Sequence, residues 1–255
     1  MGGEYILIPR IIHYCWFGKG EKPAIVKKCI ASWKEKLPEY QIIEWNEDNV
    51  TISENKYMRE AYAEKKYAFV SDAVRVKALY EMGGFYLDTD VEVFKSFDEL
   101  LNERCILGFE EGDYVATSFM AAEPQHELIK EFYDLYTDIS FYKKNGEINT
   151  YTNVKKLTDL LEKRGLLKNG QYQKIKGDIA VYPKEFFSPY DYVNCIYEYT
   201  ENSFCVHHFY VSWMPVHTRV KKKIKSCVVK VIGKKNMVKL RKRLTNQNAA
   251  SERNL

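Results

Sequence analysis

The amino-acid sequence predicts an α/β domain with a mostly parallel central sheet and helices on both faces. Short apolar runs rich in β-branched residues alternate with segments of helical periodicity across about 200 residues, and this alternation is typical of strands joined by helices. The same stretch has no internal repeat and no linker-like segment before residue 218. A single domain therefore accounts for it.

Local signals delimit the elements. An apolar run between Pro9 and Gly18 predicts the first strand, and Pro38 ends the first helix. Gly83 and Gly84 follow the third helix, where residues with positive φ are common. Hydrophobic periodicity gives the remaining elements. The predicted strands are 8–17, 40–45, 85–87, 91–94, 105–109, 115–122, 174–183 and 204–208, and the predicted helices are 23–36, 57–66, 69–82, 125–136 and 152–164.

Charge separates the end of the chain from the rest. From Arg219 to Arg243 there are 12 lysines or arginines and no acid, whereas the remainder has 35 acidic and 27 basic residues. An acidic body argues against a nucleic-acid-binding domain, which would spread positive charge over its surface. The sequence therefore predicts a globular domain at 1–217 and a basic helical tail at 218–255.

The basic tail has the pattern of an amphipathic helix, because Val220, Ile224, Val228 and Val231 fall on one helical face among lysines. Such a helix is expected to lie on an anionic membrane surface through residues 219–244. The alternative is a solvated helix that packs its apolar stripe on the domain. RNA binding is disfavoured, because the tail has no interleaved aromatic residues.

The six cysteines form no CxxC pair and lie mostly in apolar stretches, as reduced core cysteines do. The sequence shows no secretion signal and no apolar stretch long enough to span a bilayer. We therefore expect a cytoplasmic protein, peripheral on the inner face of the plasma membrane if the tail binds lipid.

Two acids follow a short apolar strand, where Phe85-Tyr86-Leu87 leads into Asp88-Thr89-Asp90. Alternate residues of an extended segment point to the same side, so both carboxylates can face one point at the carboxyl end of the strand, where α/β sheets bind ligands. Hard oxygen ligands suit Mn²⁺ or Mg²⁺. A surface turn with solvated acids is the alternative, but the apolar strand before the pair favours a metal site.

Upstream, Asp72 and Arg75 are three residues apart on a predicted helix and share a face. They form either a surface ion pair that contributes little to stability or a pair of side chains that binds the hydroxyl groups of a ligand. Spacing alone leaves both interpretations open.

These motifs occur in a specific order. The order is Ile8-Pro9-Arg10-Ile11-Ile12-His13-Tyr14-Cys15-Trp16-Phe17-Gly18, Trp45-Asn46, Ala68-Phe69-x-Ser71-Asp72-x-x-Arg75, Gly83-Gly84-Phe85-Tyr86-Leu87-Asp88-Thr89-Asp90 and His207-His208-x-x-x-Ser212-Trp213. Over roughly residues 8–213 the chain resembles the DXD-containing glycosyltransferases of family 32, which include many enzymes of bacterial capsular-polysaccharide and exopolysaccharide synthesis. The catalytic domains of the clostridial glucosylating toxins are more distantly similar.

The resemblance implies a GT-A fold for 1–217 and a sugar transfer that retains the anomeric configuration. It also implies a nucleotide-sugar donor, with a UDP-sugar favoured, a divalent Mn²⁺ or Mg²⁺, and a glycan or lipid-linked glycan acceptor. No nucleic-acid partner is expected.

The resemblance also implies roles for single residues. Asp88 and Asp90 would hold the cation and the diphosphate, while Asp72 and Arg75 would hold the donor sugar. The other implied contacts are Trp16 with the nucleobase, Ser71 and Tyr86 along the donor, and Ser212 and Trp213 at the β-phosphate.

One of the two late histidines matches a third metal ligand in related enzymes. On an extended segment only one of them can point to a given face. We expect the ligand to be His208 rather than His207, because His208 lies nearer to the Ser212-Trp213 pair.

Two other functions compete with the transferase. A haloacid-dehalogenase-like phosphatase also places a strand before an Asp-x-Asp pair, here Asp88 and Asp90, but its motif usually lies near the N-terminus and its later acidic pair is incomplete here. A binding protein with a degenerate site is the non-enzymatic alternative, and the intact pair of aspartates argues against it.

Overall fold

The computed structural model describes residues 7–149, 151–192 and 194–210, together with Lys225, Gly233 and Asn236. The chain divides into two compact units, Met1–Pro189 with Thr200–His208, and Tyr190–Tyr199 with Phe209–Leu255. Apart from the three single positions, the predicted basic tail and the boundary at residue 218 lie outside the described residues and stay predictions.

The described chain alternates strands and helices as expected. The strands are β1 (Ile11–Cys15), β2 (Gln41–Trp45), β3 (Gly84–Leu87), β4 (Val91–Val93), β5 (Cys105–Gly108), β6 (Phe119–Ala122), β7 (Gln173–Ile175), β8 (Ile179–Tyr182), β9 (Tyr190–Asp191), β10 (Ile196–Tyr197) and β11 (Cys205–His207). The α-helices are α1 (Ala24–Lys36), α2 (Lys56–Ala63), α3 (Tyr67–Met82), α4 (Glu127–Asp134), α5 (Asn153–Glu162) and α6 (Lys184–Phe187).

Seven of the described strands form the central sheet, in the order β2-β1-β3-β6-β5-β8-β7. Strands β1, β2, β3, β5 and β8 point in one direction, and β6 and β7 point in the other. The predicted α/β class with a mostly parallel sheet is therefore confirmed. The loops that follow the five co-directional strands meet at one edge of the sheet, which we call the carboxyl edge.

Helices cover both faces of this sheet. In β3, Phe85 packs with Trp33 of α1 on one face, whereas Tyr86 packs with Val74 of α3 on the other. The period of two along the strand causes this alternation. A strand buried on both faces is largely apolar, which explains why the run before Asp88 has no charged residue.

Some predicted elements differ from the structure. The stretch 174–183 is two antiparallel strands, β7 and β8, because Lys176 and Gly177 have φ values of +49° and +83° and turn the chain. The sequence did not predict the short helix α6. It also did not predict the β9–β10 hairpin of the second unit, where the rings of Tyr190 and Tyr197 lie 4.5 Å apart.

The five cysteines among the described residues are buried and free of disulfides, as predicted for reduced core cysteines. Within the described part of the chain, none of the helices has both the length and the apolar character that a membrane span requires.

Gly84, the first residue of β3, has a φ of +92°, and a Cβ there would lie 2.6 Å from the Ile11 carbonyl oxygen of the paired strand. We expect Gly84→Ala to lower the free energy of unfolding by about 1–3 kcal/mol through backbone strain, and further through this clash. Urea denaturation measures the loss. Gly146→Ala is the control, because Gly146 has a φ of +82° with no atom within 4 Å of the added Cβ. Equal losses in the two variants would show that the contact with Ile11 is unimportant.

Candidate functional site

Asp88 stands directly after β3, at the carboxyl edge of the sheet. Its backbone N–H donates to the Ser118 carbonyl oxygen at 2.8 Å, and its own carbonyl oxygen accepts from the Val91 N–H at 2.9 Å. These bonds close a tight turn between β3 and β4, so that Asp88 and Asp90 are held on fixed backbone.

The pairing of β4 with β11 brings a histidine to this turn. In that antiparallel pair Val91 lies opposite His207, and the His207 Nε2 atom is 3.3 Å from Asp90 Oδ1. One ligand atom each from Asp88, Asp90 and His207 lies within 4.8 Å of the others. Two carboxylates and an imidazole at this separation suit a divalent cation such as Mn²⁺ or Mg²⁺.

The geometry favours His207 over the predicted His208 as the third ligand. Neighbouring residues of a strand point to opposite sides, and the side chain of His208 lies with its Nε2 atom 2.9 Å from Glu92 Oε2. Glu92 also pairs with Lys28 at 2.8 Å. Proximity in sequence to Ser212 and Trp213 misled the choice, because the side of the strand decides which imidazole faces the aspartates.

The electrostatic environment of His207 favours positive charge. Burial alone would lower its pKa, but Asp90, Asp88 and Glu110 stabilise the imidazolium, and the pKa is raised overall. For His208 burial dominates, and its pKa is lowered despite Glu92. His207 thus lies among the carboxylates of the aspartate pair, which would also attract a metal cation, whereas His208 pairs with Glu92.

Removing the imidazole of His207 should weaken metal binding. We expect His207→Ala to reduce the affinity for Mn²⁺ by about tenfold or more, and His208→Ala, the control, to leave it nearly unchanged. Calorimetric titration of each variant with Mn²⁺ measures the difference. A larger loss in the His208 variant would restore the sequence-based choice.

Asp72 and Arg75 form a buried network instead of a surface ion pair. Arg75 is only 4% exposed, and its guanidinium lies 2.9 Å from Asp72 Oδ1 and 3.1 Å from Asp88 Oδ1. It also donates to the Thr117 carbonyl oxygen at 2.7 Å and lies over the ring of Tyr86 at 4.6 Å. The surface alternative is therefore wrong, and α3 is linked directly to the aspartate pair.

Tyr86 completes the support of Asp88. Its hydroxyl donates to Asp88 Oδ1 at 3.1 Å, the oxygen that Arg75 also contacts. A carboxylate has two oxygens, so Asp88 can hold a cation through Oδ2 while Oδ1 keeps these protein partners. The network fixes the orientation of the carboxylate.

Residues 23–107, which include α1, α3 and the aspartate pair, match the family described as "Glycosyltransferase sugar-binding region containing DXD motif". Over these 85 of 255 residues the chain is similar to the DXD glycosyltransferases. The predicted resemblance is confirmed, and over this segment the match favours a glycosyltransferase over the alternative phosphatase.

Curated relatives share parts of the chain. It is 30% identical over 140 residues to inositol phosphoceramide mannosyltransferase 1 of Schizosaccharomyces pombe, covering 50% of this chain and 42% of that protein. It is 28% identical over 124 residues to the human lactosylceramide 4-alpha-galactosyltransferase, covering 47% and 32%. The chain therefore spans less than half the length of these relatives. Among solved structures, the PaToxG glycosyltransferase has a TM-score of 0.49 at 17% identity, covering 61% of this chain and 69% of that one.

The predicted nucleobase residue also lies at the carboxyl edge of the central sheet. Trp16, which follows β1, borders an open cleft of about 250 Å³ together with Lys22, Asn46 and Glu47. Its indole N–H donates to the Gly20 carbonyl oxygen at 2.7 Å, which fixes the ring at the rim of the cleft.

Other motif residues have structural contacts. The Ser71 hydroxyl donates to the Tyr67 carbonyl oxygen at 3.1 Å. His13 lies 2.8 Å from the Gly83 carbonyl oxygen through Nε2 and accepts from the Trp45 indole at Nδ1, so it ties β1 to the start of β3. Ser212 and Trp213 lie outside the described residues, and their roles stay predictions.

Three residues around the candidate site were not identified from the sequence. Asn153 of α5 donates to Asp72 Oδ1 at 2.6 Å. Lys156, one turn later, is 5% exposed and lies 4.1 Å from the ring of Tyr136. Glu110 follows β5 and influences His207. No local motif marks Asn153 or Lys156, whereas the position of Glu110 after a predicted strand was a signal that could have been used.

Proposed function

We propose that the protein is a metal-dependent, retaining glycosyltransferase that moves a sugar from a nucleotide-sugar donor, with a UDP-sugar favoured, to a glycan acceptor. The observation that carries the proposal is the group Asp88, Asp90 and His207, whose ligand atoms lie within 4.8 Å of one another inside or beside a glycosyltransferase sugar-binding region. Surface-polysaccharide synthesis is the process in which we place this activity.

The three residues of this group would hold Mn²⁺ or Mg²⁺. When bound, the cation neutralises negative charge on the departing diphosphate. Asp88 is kept in one orientation by Arg75 and Tyr86, so a site formed by these side chains is preorganised and little ordering is needed when the donor enters.

Asp72 and Arg75 are proposed to bind the donor sugar. Arg75 bridges Asp72 and Asp88, so the sugar-binding group and the diphosphate-binding group are parts of one network. Trp16 would stack on the nucleobase in the cleft that it borders, with Ser71 and Tyr86 along the donor. Ser212 and Trp213 are proposed to donate hydrogen bonds to the β-phosphate, for which a hydroxyl and an indole N–H are suited.

The relatives' names support the acceptor and the stereochemistry. Both names specify ceramide-linked acceptors, and we propose a lipid-linked glycan for this chain. The human relative's name specifies an alpha linkage, which is the product of retention when the nucleotide sugar is itself α-linked. A basic tail on an anionic membrane surface would bring such an acceptor to the site.

A donor screen tests the proposal. Thermal stability and hydrolysis are measured with UDP-, GDP- and dTDP-sugars, with and without Mn²⁺, for the wild type and for Asp90→Asn. We expect one donor to stabilise the wild type and to be hydrolysed slowly, only with metal and not in the variant. Asp134→Asn is the matched control, because Asp134 is 53% exposed on α4 and belongs neither to the metal group nor to the lining of the cleft. Release of phosphate from a generic phosphomonoester, with no response to any donor, would instead support the phosphatase.

A further inference from the structure

Glu110 stands at the carboxyl edge of the sheet, the edge that also carries the aspartate pair, although it belongs to another loop. It is the second residue after β5, which points in the same direction as β3. Side chains alternate along β5 and the residue after it. Leu107 and Phe109 pack in the core on the α3 face of the sheet, whereas Ile106 packs in the core on the α1 face. Continued alternation directs Glu110 to the face that α1 covers. Cys205 of β11 packs in the core on this same face, and His207 lies two residues after Cys205.

The carboxylate of Glu110 is close to the metal group without belonging to it. Its charge raises the pKa of His207, and its own pKa is raised to about 7, first by burial, with Asp88 adding to the effect and His207 opposing it. It is not among the three residues whose ligand atoms cluster within 4.8 Å. Glu110 is thus a neighbour of the metal site rather than a fourth ligand.

Within residues 7–149, 151–192 and 194–210 the Glu110 carboxylate takes part in neither a hydrogen bond nor an ion pair. Its oxygens are not among the fully buried polar atoms of the described residues that lack a partner, so they can be reached from solvent. The adjacent Glu111, in contrast, pairs with Lys184 at 2.5 Å. The Glu110 carboxylate therefore has acceptor capacity to offer to a ligand.

The backbone that carries Glu110 is held in place. Its N–H donates to the Tyr114 carbonyl oxygen at 2.7 Å, and the Ala116 N–H donates to the Gly108 carbonyl oxygen at 2.8 Å. The ion pair between Glu111 and Lys184 ties the same loop to α6. A side chain on such a fixed loop can orient a substrate group.

We propose that Glu110 is a catalytic residue that accepts a hydrogen bond from the attacking hydroxyl group and orients it toward the anomeric carbon. This rests on the proposed function. In the step, the hydroxyl oxygen forms a bond to the anomeric carbon while the bond from that carbon to the β-phosphate oxygen breaks. The proton of the hydroxyl passes to the departing phosphate oxygen, so Glu110 directs the nucleophile without keeping its proton.

Hydrolysis of the donor by water tests the assignment, because water is then the attacking hydroxyl. The nucleotide sugar that the wild type hydrolyses is used with Glu110→Ala, Glu110→Gln and the control Asp113→Asn, which changes an exposed carboxylate of the same loop. We expect kcat to fall about 100-fold in the alanine variant, as for a misplaced reactant, and less in the glutamine variant, whose amide oxygen still accepts. The control should keep the wild-type rate.

The affinities for Mn²⁺ and for UDP separate this role from a structural one. At saturating Mn²⁺, the affinity for UDP and the melting temperature should stay within about twofold and 2 °C of the wild type, and the loss of kcat should persist. Unchanged kcat in Glu110→Ala would overturn the assignment, as would a loss of UDP or Mn²⁺ affinity that accounts for the loss of rate. If the wild type itself hydrolyses no donor, the transferase proposal fails first and this assignment fails with it.

Discussion

Replacing Arg75 by methionine is expected to lower the free energy of unfolding by about 3–5 kcal/mol, as is typical when one partner of a buried ion pair is removed. Arg75 lies between Asp72 and Asp88 at 2.9 and 3.1 Å. Without the guanidinium, two carboxylates in a poorly solvated region lose their shared counter-charge. The Thr117 carbonyl oxygen also loses its donor, which adds to the cost.

Urea denaturation of Arg75→Met measures this loss, and Lys77→Met is the matched control. Lys77 lies on the same helix and pairs with Glu81 at 3.9 Å, but its side chain is 40% exposed, so its replacement should change stability by less than about 1 kcal/mol. Similar losses in the two variants would contradict the buried network. Donor hydrolysis by Arg75→Met, measured where the variant is still folded, should be lost, because Asp88 then has no guanidinium to orient it.

The parts of this molecule that were predictable are those determined by short stretches of sequence. The glycine pair after α3 and the apolar strand before Asp88 placed the aspartates at a sheet edge, because positive φ and burial on both faces restrict which residues can occur there. The three-residue spacing of Asp72 and Arg75 was enough to put them on one helix face.

What could not be predicted depends on contacts between distant segments. The spacing of Asp72 and Arg75 did not reveal burial, which follows from Asp88, Tyr86 and Asn153 packing around them. The choice between His207 and His208 depends on the register of β11 against β4, since a shift of one residue exchanges the two imidazoles. Strand order is a further long-range property, and it sets β6 antiparallel between β3 and β5.

Asp72 makes the proposed donor site sensitive to acid. Burial raises its pKa to about 6, Arg75 and Lys156 oppose this shift, and Asp88 adds to it. Among the other described groups near it, Tyr57 and Tyr136 have pKa values raised mainly by burial and stay neutral. We therefore expect kcat/KM for the donor to be level above pH 7 and to fall about tenfold per pH unit below about 6, because a protonated carboxyl binds Arg75 and sugar hydroxyls poorly.

Unfolding linked to Asp72 cannot cause this loss, as the direction of the proton linkage shows. The unfolded pKa of an aspartate is about 3.9, and the folded pKa of Asp72 is about 6. Between these values the folded state binds more protons, so its stability rises as the pH falls. A decline of activity in this range with unchanged or higher stability therefore reports the chemistry of the site.

Replacing Lys156 tests whether the fall in kcat/KM at low pH is due to the carboxyl group of Asp72. Its ammonium is buried, its pKa is lowered to about 8, and its positive charge at pH 6 holds down the pKa of Asp72. Lys156→Met should move this fall to higher pH by about one unit. Lys155→Met, which removes an exposed lysine of the same helix, should not move it. The pKa of Glu110 is also raised, to about 7, but Lys156 is not among the charges that shift it. If the pH profile of Lys156→Met is the same as that of the wild type, the loss of activity at low pH is due to Glu110 and not to Asp72.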